Sequence, residues 1–258
     1  MPELIANGRR LDYRWIDAAR AGAPTLVFLH EGLGSVELWK DFPDRVAEAT
    51  GCGTLVYSRY GYGRSDRLEG SRGVDYMHVE ALEALPAVLA DRGIENPILI
   101  GHSDGASIAL IHAGAGRWPV RALILEAPHV FVEDITVASI AEAKTVYETT
   151  DLGRRLGRYH ADADNTFWGW NDIWLHPDFR AWNIEEYLPG VRCPTLLIQG
   201  EDDEYGTFAQ LDAIEARVAG PVETVKLPSC KHSPHRDQPG ATLDAMARFI
   251  AAQERSPR

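Results

Sequence analysis

The chain has 258 residues, of which 45% are hydrophobic and 25% charged, and its formal net charge is −12 at pH 7. This length suits one α/β domain with room for a modest insertion, and the composition is that of an ordinary globular protein. The acidic balance argues against nucleic acids and anionic membranes as partners. No stretch approaches the roughly 18 apolar residues that a membrane helix needs.

The three cysteines are scattered along the chain, at Cys52, Cys193 and Cys230, and none belongs to a CxxC pair. This spacing argues against a disulfide framework and against a zinc site. The first residues show no basic start followed by an apolar run, so no signal peptide is predicted. A cytoplasmic location is therefore expected.

Short apolar runs alternate with helical patterns along most of the chain. The predicted strands lie at residues 4–6, 11–16, 25–30, 54–60, 98–103, 121–126, 194–200 and 222–227. The predicted helices lie at residues 35–49, 76–92, 106–115, 208–218 and 242–252, and Pro86 is expected to kink the second of them. Strands that alternate with helices predict an α/β fold with a mainly parallel sheet and helices on both faces.

Residues 130–188 break this alternation because they contain no strand-like run. They are predicted to form a mainly helical cap inserted in a core made of residues 1–129 and 189–258. The segment is rich in aromatic residues, and four of the seven tryptophans of the chain lie within it.

The most informative motif is Gly101-His-Ser103-Asp-Gly105, which follows a predicted strand and opens a predicted helix. A strand, Gly-x-Ser-x-Gly and a helix form the arrangement of a nucleophile elbow. The two glycines leave room for the tight chain crossing that this turn requires. The turn would place the Ser103 hydroxyl at the carboxyl end of the sheet, where ligands bind in open α/β folds. Ser103 is therefore the candidate nucleophile.

A serine nucleophile needs a base, and the base needs an acid that orients it. His232 lies between a predicted strand and the last helix, on the same edge of the sheet as the elbow. Four consecutive acids, at residues 201–204, follow the strand at 194–200, and Asp203 is the preferred candidate for the orienting acid. The alternatives are His235 for the base, and Asp202 followed by Glu126 for the acid. The order serine, acid, histidine is the one expected on this kind of fold.

An oxyanion needs two backbone N–H donors. The first is expected from Asp104, the residue after the nucleophile, of which only the backbone is needed. The second is expected from the loop after the strand at 25–30, where glycines let N–H groups point inward. Gly32 is the preferred donor of this loop and Leu33 is the alternative.

Together these motifs resemble the α/β-hydrolase superfamily, and most closely its cap-bearing esterases, lactonases and C–C hydrolases. The segment at 30–32 is similar to the oxyanion His-Gly-x segment, and residues 58–66 to the Arg-x-Gly-x-Gly-x-Ser turn of that family. The elbow, the acid segment at 200–203 and the histidine segment at 232–239 are similar to its remaining motifs. The resemblance implies an α/β-hydrolase fold, the triad Ser103, Asp203 and His232, and no metal or organic cofactor.

One departure from the family pattern is Glu31, which stands where the family usually has glycine. A carboxylate beside an oxyanion would be unfavourable. Glu31 is therefore expected to point away or to pair with a basic group such as Arg59.

The aromatic residues of the cap predict an apolar pocket over the nucleophile. Its expected lining residues are Trp168, Trp170, Trp174 and His129. The leading interpretation is a serine hydrolase that cleaves a carboxylic ester or lactone of a small, fairly apolar substrate through an acyl-enzyme. The alternatives are a C–C hydrolase of aromatic ring-cleavage products and a weakly catalytic ligand-binding receptor on the same fold. The expected partner is a small molecule, and the sequence is also compatible with a homo-oligomer.

Overall fold

The computed structural model describes residues 4–255, and their strands form two sheets. A two-stranded antiparallel sheet consists of β1 (Leu4–Ala6) and β2 (Arg9–Leu11). The larger sheet has the order β3-β5-β4-β6-β7-β8-β9. Its strands are β3 (Tyr13–Ile16), β4 (Thr25–Leu29), β5 (Gly53–Tyr57), β6 (Ile98–His102), β7 (Ala122–Glu126), β8 (Thr195–Gly200) and β9 (Val222–Leu227). Only β3 runs antiparallel to its neighbour, so the predicted mainly parallel sheet is confirmed.

Ten α-helices accompany these strands within residues 4–255. They are α1 (Phe42–Thr50), α2 (Tyr76–Val79), α3 (Leu85–Arg92), α4 (Asp104–Gly114), α5 (Asp134–Thr149), α6 (Leu152–Leu156), α7 (Ala163–Trp174), α8 (Ala209–Arg217), α9 (Pro234–Asp237) and α10 (Pro239–Arg255). In this part of the chain, no helix combines the length and the apolar character needed to cross a membrane.

Neighbouring side chains of the central strands pack on opposite faces of the larger sheet, because side chains alternate along a strand. In β4, Leu26 and Phe28 join the core formed with α1 and α10, whereas Val27 and Leu29 join the core formed with α3 and α4. Helices thus cover both faces. This double coverage explains why the central strands read as continuous apolar runs in the sequence.

Two predicted helices differ in detail from the structure. The helix expected at 35–49 is a 3₁₀ turn at Val36–Trp39 followed by α1, and Lys40 between them has a left-handed φ of 56°. The helix expected at 76–92 consists of α2, a π-helical turn at Glu80–Ala84, and α3. Pro86 lies in the first turn of α3, where its ring would clash with a carbonyl of the preceding regular turn. A wider π turn, instead of a regular helical turn, immediately precedes α3 and its Pro86.

The chain between β7 and β8 is mainly helical, as predicted. It carries α5, α6, α7 and 3₁₀ turns at Pro177–Ala181 and Glu185–Gly190. The described β-bridge in this segment joins Phe131 to Asn183. Ile140 of α5 and Trp170 of α7 line the same cavity as Ser103, so these helices lie over the carboxyl end of the sheet.

Candidate active site

Ser103 occupies a sharp turn between β6 and α4. Its φ of 52° and ψ of −117° are a sparsely populated conformation for a residue with a side chain. The flanking glycines are required by close packing. A Cβ atom at Gly105 would overlap the carbonyl oxygen of Leu29, and one at Gly101 would lie 2.6 Å from the Cα of Ala106. The elbow therefore has the geometry that the motif predicts.

Ser103, His232 and Asp203 form a continuous hydrogen-bonded chain. The Ser103 Oγ lies 2.9 Å from Nε2 of His232, and Nδ1 of His232 lies 2.8 Å from Oδ1 of Asp203. The serine follows β6, the acid follows β8 and the histidine follows β9, so the ends of three strands bring them together. Because a carboxylate only accepts hydrogen bonds, Nδ1 carries the imidazole proton and Nε2 is left to accept the hydroxyl hydrogen of Ser103.

The Asp203 carboxylate is buried and fully engaged. Its Oδ1 accepts backbone N–H groups from Tyr205 at 2.9 Å and Gly206 at 3.3 Å, and its Oδ2 accepts the Gln199 side-chain amide at 3.1 Å. Burial alone would raise the pKa of Asp203, but the contact with His232 and the backbone N–H of Tyr205 lower it to about 2. The acid is therefore ionised at neutral pH.

The alternative base and acid lie elsewhere. His235 Nδ1 is 2.8 Å from Oε2 of Glu126, and the backbone N–H of His235 donates to the same oxygen at 3.0 Å. These two residues form a buried pair of their own, away from the Ser103 hydroxyl. Asp202 is exposed. The structure thus groups Ser103 with the preferred residues and with none of the alternatives.

Gly32 and Asp104, the expected donors, line the same cavity as Ser103. Within the described part of the chain, neither N–H donates a hydrogen bond to another group. Asp104 is the first residue of α4, where N–H groups have no partner inside the helix. Leu33, the alternative donor, lines the cavity as well.

The carboxylate of Glu31 pairs with a histidine rather than with Arg59. Its Oε2 lies 3.5 Å from Nδ1 of His102, and Arg59 instead donates to the main-chain carbonyl of Glu31 at 3.1 Å. Burial disfavours both charges, but their pairing lowers the pKa of Glu31 well below its usual range and raises that of His102 to about 9. Glu31 therefore pairs with a basic group, as expected, but its partner is His102 and not Arg59.

His102 is buried, and it supports the site through two contacts. Its Nε2 donates to the main-chain carbonyl of His232 at 2.7 Å. The ion pair with Glu31 and this hydrogen bond connect the loop after β4 to the loop that carries His232. Apart from the adjacency of His102 to Ser103, no feature of the sequence points to this contact.

A cavity of about 210 Å³ opens at Ser103. Trp170, Trp174 and His129 line it, as expected, and Thr136 and Ile140 of α5 and Tyr205 add walls that sequence reasoning missed. Tyr205 follows Asp203 by two residues, and its ring centroid lies 4.7 Å from that of His232. Proximity to the acid segment is the signal that would have found it.

Trp168 is not part of this cavity, contrary to expectation. It lines a separate cleft with Arg67 and Arg72. Two residues along an α-helix turn its surface by about 200°, whereas four residues return to the same face. Trp170 and Trp174 therefore share the face of α7 above Ser103, and Trp168 faces the other way.

His129 is buried beside His232, and their ring centroids are 5.6 Å apart. Burial, reinforced by the neighbouring His232, lowers the pKa of His129 to about 3. His129 is therefore a neutral wall of the cavity at physiological pH. Among residues 4–255, no cluster of histidine, cysteine or acidic side chains has the arrangement of a metal site.

The sequence matches the model of the alpha/beta hydrolase family over residues 26–245. Similar solved structures include a proline iminopeptidase from Mycobacterium smegmatis, with a TM-score of 0.78, 17% identity and 98% of each chain covered. An enol-lactonase from Burkholderia xenovorans LB400 has a TM-score of 0.76 and 18% identity, over 97% of this chain and 100% of that one. An esterase from Exiguobacterium antarcticum has a TM-score of 0.76 and 18% identity, over 96% and 98% of the two chains.

At these identities the solved structures show a common fold. No curated protein matches the sequence. The family model covers most of the chain, including the elbow and the segments that carry Asp203 and His232. The chain therefore belongs to the alpha/beta hydrolase family.

Proposed function

We propose that the protein is a serine hydrolase that cleaves a carboxylic ester or lactone of a small, fairly apolar substrate through an acyl-enzyme. The observation that carries this proposal is the hydrogen-bonded chain from Ser103 through His232 to Asp203, with distances of 2.9 Å and 2.8 Å. Such a chain is the arrangement that activates a serine hydroxyl for attack on a carbonyl carbon.

In acylation, Ser103 Oγ attacks the carbonyl carbon of the substrate while His232 Nε2 takes the hydroxyl proton. The resulting imidazolium is stabilised by the Asp203 carboxylate, and His232 then returns the proton to the departing alkoxide. In deacylation, a water molecule takes the place of the alcohol and attacks the acyl carbon while His232 removes its proton; His232 then passes this proton to Ser103 Oγ as the acid product leaves. For a lactone, the alcohol and the acid remain joined in one product.

The carbonyl oxygen becomes negatively charged in both steps. The free N–H groups of Gly32 and Asp104 are the proposed donors to it, and removal of one such donor costs about 10²–10³ in kcat in other serine hydrolases. Asp104 also stands at the positive end of α4, which favours a negative charge there.

The size and lining of the cavity support a small substrate. Its volume of about 210 Å³ is below the range of about 300–1,000 Å³ usual for drug-sized ligands. Trp170, Trp174 and Ile140 supply apolar walls. The two acids that line the cavity, Glu31 and Asp104, are each paired with a basic side chain, and the exposed Arg236 also borders the cavity.

The test is a panel of p-nitrophenyl esters from acetate to octanoate, together with aliphatic lactones followed by proton release. The wild type should turn over short acyl groups with the highest kcat/KM, and Ser103→Ala should reduce turnover to the background rate. Ester turnover by a folded Ser103→Ala protein at the wild-type rate would refute the proposal. A folded wild type that is inert towards esters and lactones but cleaves ring-cleavage dienes would favour a C–C hydrolase instead.

A further inference from the structure

A fully buried ion pair lies behind the two proposed oxyanion donors. Nη2 of Arg59 is 3.5 Å from Oδ2 of Asp104, and both side chains are at most 1% exposed. The Tyr76 hydroxyl donates to the same Asp104 oxygen at 2.7 Å. Removing two charges from water is costly, so a buried pair of this kind is weak evidence of a contribution to stability. The position of its hydrogen bonds is more informative.

The same Arg59 nitrogen that faces Asp104 also donates to the main-chain carbonyls of Glu31, at 3.1 Å, and His30, at 3.3 Å. The Glu31 carbonyl belongs to the same planar peptide unit as the N–H of Gly32. In a trans peptide the C=O and the N–H point in opposite directions. A donor that holds the Glu31 carbonyl therefore also fixes the direction of the Gly32 N–H.

His30 supplies a second donor to that carbonyl. The backbone N–H of Arg59 donates to Nε2 of His30 at 3.0 Å, so the proton of the neutral ring is on Nδ1, which donates to the Glu31 oxygen at 2.7 Å. Burial and the charge of Arg59 lower the pKa of His30 well below its usual range, which keeps the ring neutral. Two N–H groups thus converge on one carbonyl oxygen.

We propose that Arg59 and Asp104 act as an oxyanion clamp, which joins and orients the two N–H donors of the oxyanion hole. Asp104 supplies one donor with its backbone, and its side chain holds the guanidinium that orients the other donor, at Gly32. A cation bound to the carbonyl end of a peptide also draws electron density from its N–H, which strengthens that donor when the oxyanion forms. Arg59 and the Asp104 side chain are positioning groups, and this role rests on the proposed function.

A different result is expected if the Arg59–Asp104 ion pair only supports the fold. Buried ion pairs can often be replaced by uncharged groups with little loss of stability. If the pair only supports the fold, a neutral replacement that folds should keep its activity. If the pair orients the Gly32 N–H, the neutral replacement should fold and still lose turnover.

The test variant is Arg59→Met combined with Asp104→Asn, which removes both charges and keeps an acceptor for the Tyr76 hydroxyl. The matched control is Arg72→Met. Arg72 donates to the carbonyl of Tyr60 and lies over the rings of Tyr62 and Tyr76, but it makes no described contact with the Glu31–Gly32 peptide. Three quantities are measured for each protein: the melting temperature, kcat and KM on the best short ester, and the rate of phosphonylation of Ser103 by an alkyl fluorophosphonate.

The clamp predicts that the neutral variant melts near the wild type, keeps KM within about threefold, and loses at least about tenfold in both kcat and phosphonylation rate. Arg72→Met should keep both rates. If the double variant does not fold, Arg59→Lys is measured instead; it retains the charge but is one bond too short to place a nitrogen at the Nη2 position, so it should show the same kcat loss. A folded clamp variant with both rates within threefold of the wild type would overturn the clamp alone. A wild type that neither turns over esters nor reacts with the fluorophosphonate would refute the proposed function itself.

Discussion

Replacing Asp203 by Asn removes one charge beside His232 with almost no change of shape. Burial works against that charge, yet the pKa of Asp203 is lowered from 3.8 to about 2, mainly by His232. Because one pKa unit corresponds to about 1.36 kcal/mol, the site favours the carboxylate by about 2 kcal/mol. The attraction between the Asp203 carboxylate and the His232 imidazolium must be larger than this net preference, because it also offsets the cost of burying the charge. We therefore expect kcat/KM to fall at least about 30-fold.

The surroundings of Asp203 also set an upper limit to the loss. Three N–H groups, from Tyr205, Gly206 and His232, converge on Oδ1. The amide oxygen of an asparagine would take that place, and its NH₂ group would face the Gln199 amide that now donates to Oδ2. His232 would thus keep its proton on Nδ1. The loss should stay below the roughly 10⁴-fold that follows when the imidazole adopts the wrong tautomer.

The assay is initial-rate hydrolysis of a short p-nitrophenyl ester by Asp203→Asn, with Asp202→Asn as the matched control. Asp202 is exposed, and its side chain has no described contact with His232, so its variant should stay within about twofold of the wild type. A folded Asp203→Asn protein within threefold of the wild type would refute this reasoning. So would an equal loss in the two variants, because the acid would then be misassigned.

Three further predictions concern the pocket wall, the buried Glu31–His102 pair and the elbow. Nε1 of Trp170 lies beside the proposed oxyanion donor Gly32, since a Cβ atom built on that glycine would overlap it, and this nitrogen is not buried. Nε1 of Trp174, by contrast, is buried and has no hydrogen-bond partner among the described residues. Trp170→Phe should therefore lower kcat/KM about five- to tenfold through loss of a hydrogen bond to substrate, and Trp174→Phe should be nearly neutral; equal effects in ester assays would contradict this. Despite burial, Glu31 raises the pKa of His102 from 6.5 to about 9. The contribution of protonated His102 to the free energy of unfolding is therefore fully present below about pH 6.5 and is lost as the pH rises towards 9. Urea unfolding should show that decline in the wild type, and the persistence of the same decline in His102→Gln would assign it to another group. Gly105→Ala should lower the free energy of unfolding by about 1–3 kcal/mol because the methyl group meets the Leu29 carbonyl, as denaturant titration can measure. Gly240→Ala is its control, since nothing lies within 4 Å of the added methyl group, and a similar loss there would remove the steric explanation.

The parts of the site that could be predicted from sequence are those in which local backbone geometry determines the residue type. The turn at Ser103 needs small residues on both sides because the chain crosses Leu29 and Ala106 closely, so the motif carries its own structure. Asp203 and His232 were candidates because they follow strands that end at the same edge of a parallel sheet, and the resemblance to the family favoured His232 over His235. Strand order and burial then brought their side chains together.

The contacts that sequence reasoning missed join side chains from segments far apart in the chain. Glu31 was expected to meet Arg59, and the two residues are indeed neighbours, but through the Glu31 main-chain carbonyl. A charge pattern does not reveal which atom of a residue faces a partner. For Asp104, the sequence predicted a role only for the backbone N–H, as a donor to the oxyanion. The contact of its side chain with Arg59 was missed because Arg59 follows a different strand.

The tryptophans of α7 show a second limit of the sequence. Composition correctly indicated an aromatic wall above Ser103, and helical spacing alone separates Trp170 and Trp174 from Trp168. Which of the two faces meets the cavity depends on how α7 packs on the sheet. That packing is set by contacts outside the helix, such as the Asn171 side chain donating to the carbonyl of Ile140.

The most direct test of the central claim is to trap the acyl-enzyme. The protein is mixed with p-nitrophenyl acetate, quenched in acid within the first turnovers, and digested for peptide mass spectrometry. Our account predicts a burst of p-nitrophenol and an acetyl group on the peptide that carries Ser103, with neither in Ser103→Ala. Turnover at the wild-type rate with no acyl group on Ser103, or with the acyl group on another residue, would contradict it.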